Sequence, residues 1–145
     1  MADRYYLARF TNAQDMGVYE KALSEIKNGR KMSHWMWFVF PQLRGIAGHS
    51  HNTWFYGITC ADEARAYLEH PVLGSRLREI SEALMSLEET DPQRVMGNPD
   101  WLKLGSCMTL FDYVSPNDVF GRVLKKFYAG SRCPRTFGGL SRQAK

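Results

Sequence analysis

The stretch "LGSRLREISEALMSL" sets Leu73, Leu77, Ile80, Leu84 and Leu87 at alternating intervals of four and three, which lines one stripe of an α-helix and no face of a strand. A stripe of that length must be covered by other elements, and the same period recurs on both sides of it. Upstream, Tyr19, Ala22, Leu23 and Ile26 share a face before Gly29 stops the pattern. Downstream, Trp101, Leu104, Met108 and Phe111 share another, and Ser115, Pro116 and Asp118 then cap a segment carrying Val119, Val123, Leu124 and Phe127. Strand alternation is scarce. The spacing predicts an all-α, compact multihelical single domain of at least six helices. Its core is expected around Leu23, Ile26, Leu73, Leu77, Ile80, Leu84, Met108, Phe111 and Leu124.

With 145 residues, one domain over 1–145 suffices. No apolar run approaches the roughly 20 residues of a membrane helix, and the opening "MADRYYLARF" lacks a secretory signal, so a cytoplasmic protein without membrane contact is expected. Cys60, Cys107 and Cys133 are odd in number and far apart, which favours reduced thiols over disulfides or a thiolate zinc site. His49 and His51 in "GHSHN" are a weak chelating pair, and no metal is expected. No cofactor is implied either, since there is no GxSxG elbow, Walker sequence or dinucleotide fingerprint.

The net charge of +4 lies wholly in the tail "GSRCPRTFGGLSRQAK", through Arg132, Arg135, Arg142 and Lys145, because residues 1–129 hold fifteen bases and fifteen acids. A phosphate-backbone binder concentrates its bases on a folded face, so nucleic acid is not expected as a partner. The Gly- and Arg-rich tail is expected to be loosely structured from about residue 130 and to contribute little to the core. Within the body, no acid falls between Glu25 and Asp62, whereas residues 62–100 hold nine acids against four bases.

That positive stretch contains "RKMSHWMWFVFPQLRG", residues 30–45, a short aromatic helix that Ser33 can cap and Pro41 must end. A short helix cannot bury every face. Trp37 with Phe38 or Phe40 is therefore expected to anchor inward, while Lys31, His34, Trp35 and Gln42 border a pocket. Lysine and glutamine are seldom buried without partners, and a lysine at a helix start opposes the helix dipole. Both features suit a bound anion, with the amides near Ser33 assisting. Arg76 and Lys103, each beside a small polar residue on an amphipathic helix, would complete a pocket of three cations with an aromatic floor if they converge with Lys31. Catalysis would need water activated by His34, Glu63 or Asp100.

The segments "VYEKALSEIKNGRKMSHWMWFVFPQ", "EARAYLEHPVLGSRL" and "DWLKLGSCMTLF" occur in the order, and over nearly the whole length, of a bacterial family known as domain of unknown function eighteen-ten, often mislabelled calpastatin. The chain resembles that family most specifically through the SHWMW block. The resemblance implies a compact, mainly helical domain, as in a mycobacterial member of unknown function, and brings no established activity. Lys31, Ser33, His34, Trp35, Gln42, Glu63, Arg76, Asp100, Lys103 and Thr109 all fall on the family signature, which adds Thr109 to the ligand-binding set. The calpastatin label carries no weight, because calpain inhibition depends on disordered repeats.

Two functional classes follow. One is a site that binds or hydrolyses a small anionic, nucleotide-derived or phosphorylated molecule, with ADP-ribose-like ligands combining flat base, diphosphate and ribose. The other is a non-enzymatic protein-interaction module whose charged residues form a contact surface. Convergence of Lys31, His34, Gln42, Arg76 and Lys103 on one concavity separates them. Whether a reaction is catalysed, and the oligomeric state, are left open by the sequence.

Overall fold

The structure, a computed structural model, describes residues 3–46, 48 and 50–144. Among these residues there are ten helices and no strand: α1 (Ala8–Gln14), α2 (Val18–Lys27), α3 (Met36–Val39), α4 (His51–Phe55), α5 (Ala61–Glu69), α6 (Leu73–Met85), α7 (Pro92–Met96), α8 (Asp100–Val114), α9 (Val119–Tyr128) and α10 (Pro134–Gln143). Extended pairing is limited to one parallel bridge between Leu43 and Ile58. The all-α reading of the sequence holds.

α8 is the axis of the fold. Leu104 through Asp112 are buried without interruption, so this helix is covered on every side, by α5, α7, α9 and α10. Its small residues Gly105, Ser106 and Thr109 let neighbours approach closely; a Cβ on Gly105 would stand 3.2 Å from the Tyr128 ring. α6 packs its leucine stripe against α2, α5 and α9. Gly74 makes the α5–α6 junction possible, since a Cβ there would meet the Leu68 carbonyl oxygen at 2.0 Å. Of the expected core residues only Leu23 is half-buried, and the rest are buried.

Local chemistry sets several boundaries. Asp91 caps α7, Asp118 caps α9, and the His70 ring accepts from the amides of Val72 and Leu73 where α5 turns into α6. The Gly-rich segment "GIAGHSHNTWFYGIT" contains α4, capped by Ser50. His51 lies in that helix; His49 lies outside the described residues.

The tail differs most from the expectation. Residues 134–143 are a helix, not loose chain, with Pro134 in its first turn and Thr136 and Leu140 buried against the body. Gly138 and Gly139 weaken helix propensity and hide the element in the sequence, yet Gly139 is where the backbone passes Leu43, 3.1 Å from a built Cβ. Deleting residues 138–145, which the sequence alone suggests is harmless, should therefore destabilise the protein. Leu140→Ala alone is expected to lower the melting temperature by roughly 5–15 °C in calorimetry, the range for a buried leucine truncated to alanine.

Candidate functional site

The run 30–45 is built around an anion the chain supplies itself. Glu25, on the last turn of α2 and only 9% exposed, accepts from the Met32 amide at 2.7 Å, the Ser33 amide at 2.9 Å and the Trp35 indole Nε1 at 2.9 Å, and from the Ser33 hydroxyl. The amides expected to hold a ligand thus hold a carboxylate of the fold. Burial by itself would raise the Glu25 pKa, but the Ser33 hydroxyl, the Met32 amide, the Trp35 indole and the Ser33 amide outweigh it and bring it down to about 2.

This arrangement reverses the expected roles of the tryptophans. Trp35 precedes α3 with a non-helical backbone, is 1% exposed, and sits in the core with Phe40; Trp37 and Phe38 are half-buried. An indole can occupy the core only when its N–H finds an acceptor, and Glu25 provides one to Trp35. Ser33 caps no helix.

The remaining sequence-predicted residues fall into separate places. Lys31 lies over the Trp35 ring and pairs with Asp100 at 2.9 Å, while Lys103 pairs with the other oxygen of Asp100 at 3.6 Å. Asp100 is therefore the hub of two ion pairs at the start of α8, and two ammonium groups sharing one carboxylate leave a positive charge there. Glu63 is 1% exposed and receives Arg9 at 2.6 Å and the Thr59 hydroxyl at 2.7 Å, clasping α1 to the start of α5. Arg76 faces α1 and α2, bonded to Gln14 and lying over Tyr19. His34 is exposed and lies outside the lining of the large cleft described below. The expected convergence of Lys31, His34, Gln42, Arg76 and Lys103 does not form, and His34, Glu63 and Asp100 do not face a common space.

Gln42 and Lys103 do meet, on a cleft of about 660 Å³ between the first half of α8, residues Gln42, Ile46 and Gly48, and the chain joining α9 to α10. Ile46, Trp101, Leu102 and Tyr128 make it largely apolar, and Lys103, Arg132 and Arg135 bring three cations to it. Its size falls within the range of small-molecule sites. The Trp101 and Tyr128 rings are parallel within 9° at 6.5 Å, and Tyr128 donates to the Trp101 carbonyl; burial pushes its phenol pKa up. Arg132 pairs loosely with Asp112 at 3.4 Å, and Arg135 is exposed. Gln42 is 7% exposed, and among the described residues its carboxamide has no hydrogen-bond partner.

One wall of the cleft is the N-terminus of α10. Thr109 donates its hydroxyl to the Gly105 carbonyl at 2.8 Å and accepts the Cys133 amide at 2.9 Å, which pins Cys133, the N-cap of α10, to α8. Thr109 thus lies behind the site and positions it. The residues that sequence reasoning missed, Trp101, Tyr128, Arg132, Cys133 and Arg135, belong mostly to the segment read as a loose tail. The available signal was Pro134 followed by Thr136 and Leu140 at helical spacing.

The comparisons with known proteins bear on this geometry. A family model described as "Protein of unknown function (DUF1810)" matches residues 4–140. The chain belongs to that family. Its fold also matches the crystal structure of Rv1873, a conserved hypothetical protein from Mycobacterium tuberculosis, with a TM-score of 0.92 and 43% identity over 96% of this chain and 99% of that one. No curated protein matches. Membership of DUF1810 accordingly gives the fold and leaves the activity to be argued from the cleft.

In this DUF1810 protein the Glu25 cluster carries a pH signature. The folded-state pKa of about 2 lies below the ordinary 4.5, so the stabilisation is full above 4.5 and is lost as pH falls toward 2. Urea unfolding should show Glu25→Gln to be less stable by roughly 2–4 kcal/mol at neutral pH, because an amide cannot satisfy all the donors around it. The difference between the two proteins should shrink as the pH is lowered through that window.

Proposed function

We propose that this protein binds a small anionic molecule with a planar part, of the nucleotide or ADP-ribose type, in the cleft beside α8. The observation that carries the reading is the convergence of Lys103, Arg132 and Arg135 on an apolar, aromatic-walled cleft. An apolar wall alone favours any hydrophobe. Cations at its rim select ligands that add a phosphate or carboxylate to a flat body, since charge-assisted bonds to arginine are about twice as strong as neutral ones. Gln42 supports the reading, because a nearly buried carboxamide bordering the cleft offers both a donor and an acceptor to a polar ligand edge.

The reading is one of binding. No Asp, Glu or His is among the described residues lining the cleft, so the carboxylates and imidazole that hydrolysis was expected to use are not beside the ligand. A cytoplasmic location belongs to the same reading; no helix among the described residues is long and apolar enough to cross a membrane.

A thermal-shift series with ADP-ribose, AMP, ADP and inorganic phosphate tests it, because a ligand of the native state raises the apparent melting temperature. At least one nucleotide should stabilise the protein at millimolar concentration more than phosphate does. Arg135→Gln and Lys103→Gln should each weaken that ligand roughly 10- to 100-fold, the equivalent of about 1.5–3 kcal/mol per charged contact. Arg76→Gln, which lies outside the cleft, should leave the affinity unchanged. No shift with any of the four compounds, or equal affinity in all three variants, would overturn the reading.

A further inference from the structure

Cys133 is the one cysteine that faces the cleft, and it sits where a sulfur anion would be well served. Its side chain is half-buried, whereas Cys107 is sealed in the core, where burial pushes its thiol up. The Ser106 hydroxyl, itself 5% exposed, lies 3.3 Å from Sγ and can turn its hydrogen either to the sulfur or to the Leu102 carbonyl. α10, ten residues long, begins at Cys133 and points its positive end at it. The Thr136 hydroxyl on the next turn is completely buried and closes no hydrogen bond among the described residues, which leaves it free to turn toward the sulfur. Burial would raise the Cys133 thiol, but the Ser106 hydroxyl and the amides of Thr136 and Arg135 hold it below its ordinary value.

Two further features beside this sulfur suit a polar, anionic ligand. Gln42 borders the same cleft, more than nine-tenths buried and without a partner among the described residues. Arg132 and Arg135 flank the cysteine in the chain and both line the cleft. A purely structural N-cap explains neither, and cysteine is a poorer cap than the serine or aspartate that would otherwise serve.

We propose that Cys133 is a nucleophilic thiolate that takes up small anionic disulfides from the cleft by thiol–disulfide exchange. The thiolate Sγ attacks one sulfur of the disulfide and a new S–S bond forms to Cys133. The original S–S bond breaks, and the other half leaves as a thiolate with the electron pair. The incoming disulfide is the oxidant, so the step balances without further reagents. The cations raise the local concentration of an anionic disulfide and help to hold its carboxylates. The inference shares the cleft with the binding reading, and its test separates the two.

The test uses the full chain carrying Cys60→Ser, with Cys107 left in the core. Its reaction with a dianionic aromatic disulfide, 5,5′-dithiobis(2-nitrobenzoate), and with neutral 4,4′-dithiodipyridine is followed over roughly pH 5–9, the range in which a perturbed thiol titrates. Each rate is divided by that of the same chain unfolded in urea. At neutral pH the native thiol should react about tenfold or more faster than the unfolded one with the anionic probe, as a thiol poised near ambient pH does. The gain should be larger for the anionic probe than for the neutral one and should fall with added salt. Ser106→Ala and Thr136→Val should move the pH midpoint upward. Cys133→Ser should abolish the fast phase while keeping the helical circular dichroism, and oxidised glutathione should add one glutathionyl mass at Cys133.

A native rate no faster than the unfolded one, a gain equal for both probes, or a midpoint unmoved in both hydroxyl variants would overturn the proposal. A slow thiol in a protein that nucleotides stabilise removes this inference and keeps the binding reading. A fast thiol in a protein that no nucleotide stabilises does the reverse.

Discussion

The carboxylate of Glu25 is the point on which the amino-terminal half is organised. It stands on the last turn of α2, and the chain that follows wraps back so that two amides, one hydroxyl and one indole N–H reach it. Burying an anion costs several kcal/mol unless such donors are in place, so the turn, the position of Trp35 and the charge are tied together. With Trp35 fixed in the core, Lys31 lies over its ring and reaches Asp100, which draws the start of α8 against the same turn. The first turn of α8 then presents Lys103 to the cleft. The interaction is remote from the candidate site, yet it sets where one wall of that site stands.

α8 supplies the other constraint. A helix buried along nine consecutive residues must have neighbours on all sides, and its glycine, serine and threonine decide how near they come. Gly105 admits the Tyr128 ring, and Thr109 grips the amide of Cys133. The cleft is the gap left where α9 ends and α10 begins, a gap that the large aromatic rings wall and do not fill. Its polar groups stand at the rim because there the basic tail returns to the body.

Residues 73–87 made the fold class legible, because a period of three and four with no competing alternation admits only a helix, and the faces of α2, α8 and α9 follow the same rule. The cap at Asp118 was also readable, since capping is a local matter of side chain and amide. The site was legible only in fragments. Gln42 and Lys103 were singled out by polarity and do border the cleft, and Thr109 by resemblance lies just behind it. Arg76, Glu63 and His34 carried the same kind of signal, but Arg76 is engaged by Gln14, Glu63 by Arg9, and His34 is in solvent. Nothing in residue type distinguishes a cation that borders the cleft from one that is turned toward the protein's own side chains.

The sequence by itself determined the helices, their buried stripes and the need for an anion near residues 31–35. Each of those follows from short-range periodicity or from a polar group's demand for a partner. Only the tertiary structure decided who answers the demand. Glu25, eight residues from Ser33 and unremarked in its helix, supplies the anion because the turn at Gly29 carries the chain back over it. The fate of the tail was decided the same way: two glycines make residues 134–143 a poor helix in isolation, and burial of Thr136 and Leu140 against the body offsets that weakness. Long-range packing chooses among partners that local chemistry leaves equivalent, and that choice placed a cysteine and two arginines beside the cleft.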